Sequence, residues 1–191
     1  MNISSMMAEA AMQYPESKNG PFAGSHIGQV IRNEIPEALR NKLSLTDYVV
    51  KGSIGNGQFA SIPWIAIMDR DITTSTTEGI YIVFLFSSDG KRIYLTLNQG
   101  VTYFKEKKYG NLEISKISNK IFETFPSTQA SKIKINLNSS TNLGRGYEST
   151  TISAIEYDTS NMPSEEELLS DIKALLEDYA KIKELFIDSS N

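Results

Sequence analysis

Apolar residues in this chain follow two rhythms, strand-like runs and helix-like stripes, and the two kinds of segment come in blocks rather than alternating one-for-one. The strongest strand signal is residues 79–86, where Ile80-Tyr81-Ile82-Val83-Phe84-Leu85-Phe86 is apolar throughout and predicts a strand covered on both faces. Ser88-Asp89-Gly90-Lys91 then reads as a hairpin turn of the Asp-Gly kind, with residues 92–97 as the partner strand. Residues 59–68 form a second nearly continuous run. Pro63 inside it cannot donate a ladder hydrogen bond, which predicts an edge strand or a bulge. Residues 48–51 and 150–157 are shorter strand candidates, and the alternation over 132–138 predicts a half-buried strand.

Helical spacing appears over 26–43, with Ile27, Val30, Ile31, Ile35 and Leu39 on one stripe and Pro36 placed to open a second short helix. It recurs over 111–125. Pro163-Ser164-Glu165-Glu166-Glu167 reads as a capping box opening a C-terminal amphipathic helix over about 164–187. Residues 54–58, 69–78 and 141–146 read as turns or loops. In residues 1–25 the first dozen start a helix and the rest reads as flexible loop. This pattern predicts one α+β domain over 1–191, a curved, mostly antiparallel sheet flanked by helices. The chain has neither G-x-G-x-x-G nor a Walker A sequence, so nucleotide hydrolysis is not encoded in it.

Composition narrows the chemistry. There is no Cys and one His, His26, in a glycine-rich stretch. Thiol nucleophiles, disulfides and cysteine zinc sites are thereby excluded, and a Ser-His-Asp triad would have to use His26. No apolar run approaches ~20 residues, so no membrane span is predicted. The N-terminal stretch lacks a basic region followed by an apolar block, which predicts a cytoplasmic chain. Net charge is −4, but it is unevenly spread: from Lys91 to Arg145 ten Lys/Arg stand against three acids. Such asymmetry predicts a basic face on an acidic body.

Candidate chemistry gathers around the only Trp. Trp64 is a potential stacking platform, and Tyr81 would join it on a neighbouring strand to sandwich a flat ring. Gly55 and Gly57 flank Asn56 in a turn that would let a DNA backbone come close. Leu143-Gly144-Arg145-Gly146-Tyr147 offers a cation and an aromatic on a loop. Glu106-Lys107-Lys108, with Asp89 upstream, matches part of a metal-dependent nuclease motif, but the same short pattern recurs elsewhere in the chain. A protein-interaction domain using the aromatic surface is the third reading.

The string Gly55-x-Gly57-x-Phe59-x-Ser61-Ile62-Pro63-Trp64, with Gly79-Ile80-Tyr81 and the apolar strand after it, resembles the McrB-N-like family, the N-terminal DNA-binding domains of modified-cytosine-specific restriction proteins. The resemblance implies a non-enzymatic reader of double-stranded DNA that flips a modified base, most simply 5-methylcytosine, into an aromatic pocket. It implies Trp64, Tyr81, Leu85 and Tyr147 as that pocket, and the Gly55-Asn56-Gly57 loop as a DNA contact. Where the family carries Tyr in this loop, the chain carries Asn56. Phosphate contacts are expected from Lys91, Arg92, Lys105, Lys107, Lys108 and Arg145. No cofactor or metal is called for. A fused GTP-driven motor and a separate nuclease subunit are the implied partners.

Overall fold

A computed structural model of the chain describes residues 2–188, and Met1 and residues 189–191 of the expected domain lie outside the described residues. Five strands form one antiparallel sheet in the order β1-β2-β3-β4-β5, a simple meander. They are β1 (Tyr48–Ser53), β2 (Trp64–Asp69), β3 (Ile80–Phe86), β4 (Arg92–Gln99) and β5 (Thr151–Asp158). The α+β class and the C-terminal helix follow the expectation.

Strand alternation divides the core in two. Ile65, Ile67, Ile82, Phe84, Phe86, Ile93 and Leu95 form one face. It is covered by α1 (Ile3–Ser17), by the helical stretch α2 (His26–Gln29), a π-helical turn over Val30–Glu34 and α3 (Ile35–Leu43), and by α7 (Glu165–Asp188). Ala66, Met68, Tyr81, Val83, Leu85 and Tyr94 form the other face. Its cover is thinner: α4 (Val101–Glu106), α6 (Asn142–Thr150) and the extended segment 132–138, with α5 (Asn111–Thr124) packed beside α6 and β5. Every residue of β3 is buried, as a strand sandwiched by two layers must be.

Local chemistry sets the ends of these elements. Ser164 caps α7 as expected: the Glu167 amide donates to Ser164 Oγ at 3.2 Å and the Ser164 amide returns to Glu167 Oε2 at 2.9 Å. Glu165 ties that first turn to two others, accepting from the Ile3 amide at 2.6 Å and from Lys42 at 2.7 Å. Gly90, at φ 73°, closes the β3–β4 turn, and the Arg92 amide donates to Ser87 Oγ at 2.9 Å.

Four expectations are corrected. Pro63 lies one residue before β2, which is an interior strand, so the edge or bulge is not needed; the Pro63 carbonyl accepts from the Phe86 amide at 3.1 Å. Residues 132–138 do alternate, with Ile135 and Leu137 buried, but form no ladder. They cross the second face of the sheet, from an isolated bridge at Ser131–Ala154 to a bond from the Ser88 amide to the Leu137 carbonyl. The alternation reports which side chains face the sheet, not strand pairing. Residues 141–146 belong to helix α6: Thr141 caps it, accepting from the Gly144 amide at 3.1 Å. Residues 3–17 form one helix packed into the first core, where only a helix start was expected. Helix α4 was not foreseen.

Gly52 of β1 lies against the π-helical turn, where an added Cβ would sit 1.8 Å from the Ile31 carbonyl oxygen. Gly52→Ala is therefore expected to lower the unfolding free energy by about 3 kcal/mol, at the upper end of ordinary point-mutant effects, in urea denaturation. A loss under about 0.5 kcal/mol would match a surface position and contradict this packing.

Candidate functional site

The register of β2 and β3 places Trp64 directly opposite Leu85, at the end of the sheet where β1 also terminates, Ser53 pairing with Trp64. Tyr81 shares their face but lies four residues before Leu85 in β3, about 13 Å along the strand at 3.3 Å per residue. The two aromatics are thus on neighbouring strands, as expected, without facing each other. Tyr81 is 1% exposed, and its hydroxyl donates to the Thr76 carbonyl at 2.9 Å. Burial raises its phenol pKa, with a smaller push from Tyr147 and Tyr179.

Tyr147 approaches Trp64 from α6. Burial pushes its phenol up to about 12, and the Trp64 indole N–H partly opposes that rise. Trp64, Tyr81, Leu85 and Tyr147 therefore meet in one apolar cluster, with Trp64 the least buried of them. The backbone of Tyr147 is pinned from below: its carbonyl accepts from Thr151 Oγ1 at 2.8 Å and from Asn98 Nδ2 at 3.4 Å.

Beside Tyr147 lies a cavity of about 150 Å³, lined also by Ala60, Ser61, Ile62, Thr141, Leu143 and Gly144. It opens to solvent, and its volume is comparable to that of an engineered cavity in another protein that takes up benzene, the size of a six-membered ring. Its walls are mostly apolar, but Ser61 and Thr141 bring hydroxyls to it, both bonded to Ser139 Oγ, at 3.1 and 2.9 Å. Gly144 makes this arrangement possible, since a Cβ there would fall 2.4 Å from Ser139 Oγ. The sequence reading named Ser61 only within the resemblance string, without a role, and missed Ser139 and Thr141 because it placed 132–138 in a strand and 141–146 in a loop. Only the Ser/Thr richness around 139–141 hinted at them.

The Gly55-Asn56-Gly57 loop leaves β1 beside this cluster. Gly55 has φ 111°, and a Cβ there would lie 2.1 Å from the Gln58 carbonyl oxygen. Tyr14 of α1 holds the loop's return, its hydroxyl donating to the Ala60 carbonyl at 2.7 Å. Asn56 stands exposed at the tip.

The expected phosphate contacts do not form one patch. Lys91 and Arg92 lie at the β3–β4 turn, and Arg92 is already paired with Glu156 at 3.2 Å and Asp158 at 3.0 Å. Lys105, Lys107 and Lys108 lie in and just after α4, which follows the other end of β4. Arg145 lies on α6 and donates to Asn142 Oδ1 at 2.8 Å. The nuclease residues are likewise separated: Asp89 serves its own turn, accepting from Ser87 Oγ at 2.7 Å and the Lys91 amide at 3.1 Å, and Glu106 ends α4. Among the described residues no three His, Asp or Glu side chains are grouped to hold a metal ion.

An antiparallel sheet carrying a ring-sized cavity at one end, beside a half-buried Trp and an open glycine loop, defines a binding domain. Residues 9–184 match the family described as MrcB-like, N-terminal domain, and the chain belongs to that family. Membership supports a DNA-binding domain of a restriction system, working in association with other domains or subunits. No curated protein matches the chain. No described helix is long and apolar enough to cross a membrane.

Packing sets the cost of altering this cluster. Leu85→Ala, at a fully buried site, is expected to destabilise the fold by about 3 kcal/mol. Tyr147→Phe removes one oxygen and should cost less than about 1.5 kcal/mol. Denaturant titration checks both, and equal losses would contradict the placement of Leu85 under the cluster.

Proposed function

We propose that this domain reads a modified base in double-stranded DNA, most simply 5-methylcytosine, by extruding it from the helix and holding it in the α6 cavity beside Tyr147 and Trp64. The carrying observation is the ring-sized cavity lined by Tyr147, a member of the same cluster as the half-buried Trp64, whose indole N–H bonds the Tyr147 hydroxyl. Leu85 backs the Trp64 ring from the opposite strand, and Tyr81 fixes the floor farther along. Apolar atoms of Ala60, Ile62 and Leu143 are available to a 5-substituent, and the Ser61 and Thr141 hydroxyls to the polar edge of the ring.

The magnitudes are consistent with this. Extruding a base costs a few kcal/mol, and stacking on an aromatic returns roughly 1–3 kcal/mol. One buried methyl adds about 0.8 kcal/mol, about a fourfold preference. On this reading Asn56, exposed at the tip of its loop, approaches the gap left in the stack. Lys91, Lys105, Lys107, Lys108 and Arg145 supply sequence-independent phosphate attraction, with Arg92 contributing least because two carboxylates already balance it. On this reading the domain is not an enzyme and works in the cytoplasm. DNA cleavage and GTP hydrolysis belong to a motor domain and a nuclease subunit that it directs.

Fluorescence anisotropy with otherwise identical duplexes carrying cytosine, 5-methylcytosine, 5-hydroxymethylcytosine, N4-methylcytosine or N6-methyladenine tests the proposal. The wild-type chain is expected to prefer one modified duplex. Trp64→Ala should bind all five equally and weakly. A Trp64→Ala variant that keeps the full preference would show that the pocket lies elsewhere.

A further inference from the structure

Three cations that the sequence scatters converge on one concavity. Lys132, Lys134 and Arg145 line a groove of about 560 Å³ between α5, α6 and the extended segment 132–134. We propose that this groove carries the phosphate backbone of the DNA strand whose base enters the α6 cavity. The proposal rests on the base-reading function above and assigns the strand its track.

Helix α6 links the two sites. Arg145, Glu148 and Ser149 line the groove, while Leu143, Gly144 and Tyr147 line the cavity. A helix is about 10 Å across with its side chains, so the cavity and the groove lie about that far apart on two flanks of α6. On this proposal a nucleotide extruded into the cavity leaves its neighbours' phosphates on the groove side of α6.

The charge state of the groove suits an anion. Arg145 has only the neutral Asn142 amide as a partner, and neither it nor Lys134 forms an ion pair among the described residues. Lys132 is exposed as a residue, but its ammonium is partly buried where it donates to the Thr151 carbonyl at 2.7 Å. Burial with no anionic partner pulls its pKa down to about 8, a cost that an incoming phosphate would relieve. The one acid lining the groove, Glu148, accepts from the Leu137 amide at 2.9 Å and is partly spent on the backbone. Asn119 and Ser149 add neutral groups of the kind that bond phosphate oxygens. Arg92, by contrast, is paired, and the α4 lysines lie outside this concavity.

Lys132→Gln, Lys134→Gln and Arg145→Gln, singly and together, test the track in anisotropy titrations over a range of salt, with modified and unmodified duplexes. Gln keeps an N–H for the Thr151 carbonyl, and circular dichroism confirms folding. Each substitution should weaken both duplexes by the same factor and reduce the slope of log K against log salt by about 0.9 for each phosphate no longer neutralised. Arg145→Lys should restore the slope. A folded triple variant that keeps the wild-type slope and the modified-base preference overturns the groove alone. Wild-type binding without preference, with slopes that still fall in the variants, overturns the base-reading function and leaves the groove as a phosphate site. A wild-type chain that binds no duplex overturns both.

Discussion

Burial of β3 on both faces is the constraint from which the rest of the molecule follows. An antiparallel sheet can leave one face to water, but Ile80–Phe86 alternates between two apolar faces, its only side-chain polar group being the bonded Tyr81 hydroxyl. Two layers must therefore cover it. One layer is thick, with α1, α3 and α7 tied together through Glu165 at the start of α7. The other is made of short pieces, and a layer built of short pieces leaves room for a cavity.

Those pieces are held by polar bonds as much as by apolar area. Asn98 of β4 reaches Thr151 Oγ1 at 3.0 Å, Gln99 reaches Ser118 Oγ of α5 at 2.9 Å, and Ser118 Oγ donates to the Ser149 carbonyl of α6 at 3.0 Å. These groups are buried and, among the described residues, no buried side-chain nitrogen or oxygen lacks a partner. Leaving one unsatisfied costs about 1–3 kcal/mol, so the network fixes α5 and α6 to β4 more narrowly than packing alone would. The cavity beside Tyr147 and the basic groove beyond Arg145 are the two flanks of the helix so fixed. A flexible loop carrying the same residues would not hold a ring site and a phosphate track at a constant separation.

The parts legible in the sequence are those set by near neighbours. The β3–β4 hairpin is specified by Asp89-Gly90 between two apolar runs, and the start of α7 by the Ser164–Glu167 pair. Trp64, Tyr81, Leu85 and Tyr147 could be selected from one resemblance, and they do meet in one cluster. What failed depended on distant contacts. Gly144 and Gly146 look like loop residues, yet both are helical: added Cβ atoms would come 2.4 Å from Ser139 Oγ and 2.7 Å from Val101. The alternation of 132–138 was real, but one-dimensional periodicity does not tell a strand in a ladder from a strand lying across a sheet. For the same reason the charge pattern predicted only a general basic face over 91–145, and not that Lys132, Lys134 and Arg145 share one groove while Lys91, Arg92 and the α4 lysines lie elsewhere.

Because the chain has a single Trp, its intrinsic emission reports on the site itself. The most direct measurement is Trp64 emission titrated with two otherwise identical duplexes, one carrying the preferred modified base and one unmodified, while anisotropy follows binding. A base held against Trp64 predicts saturable quenching with the modified duplex, and a much smaller change at equal occupancy with the unmodified one. Equal occupancy of both duplexes with unchanged Trp64 emission would show that DNA binds without placing a base at this aromatic, and would contradict the account.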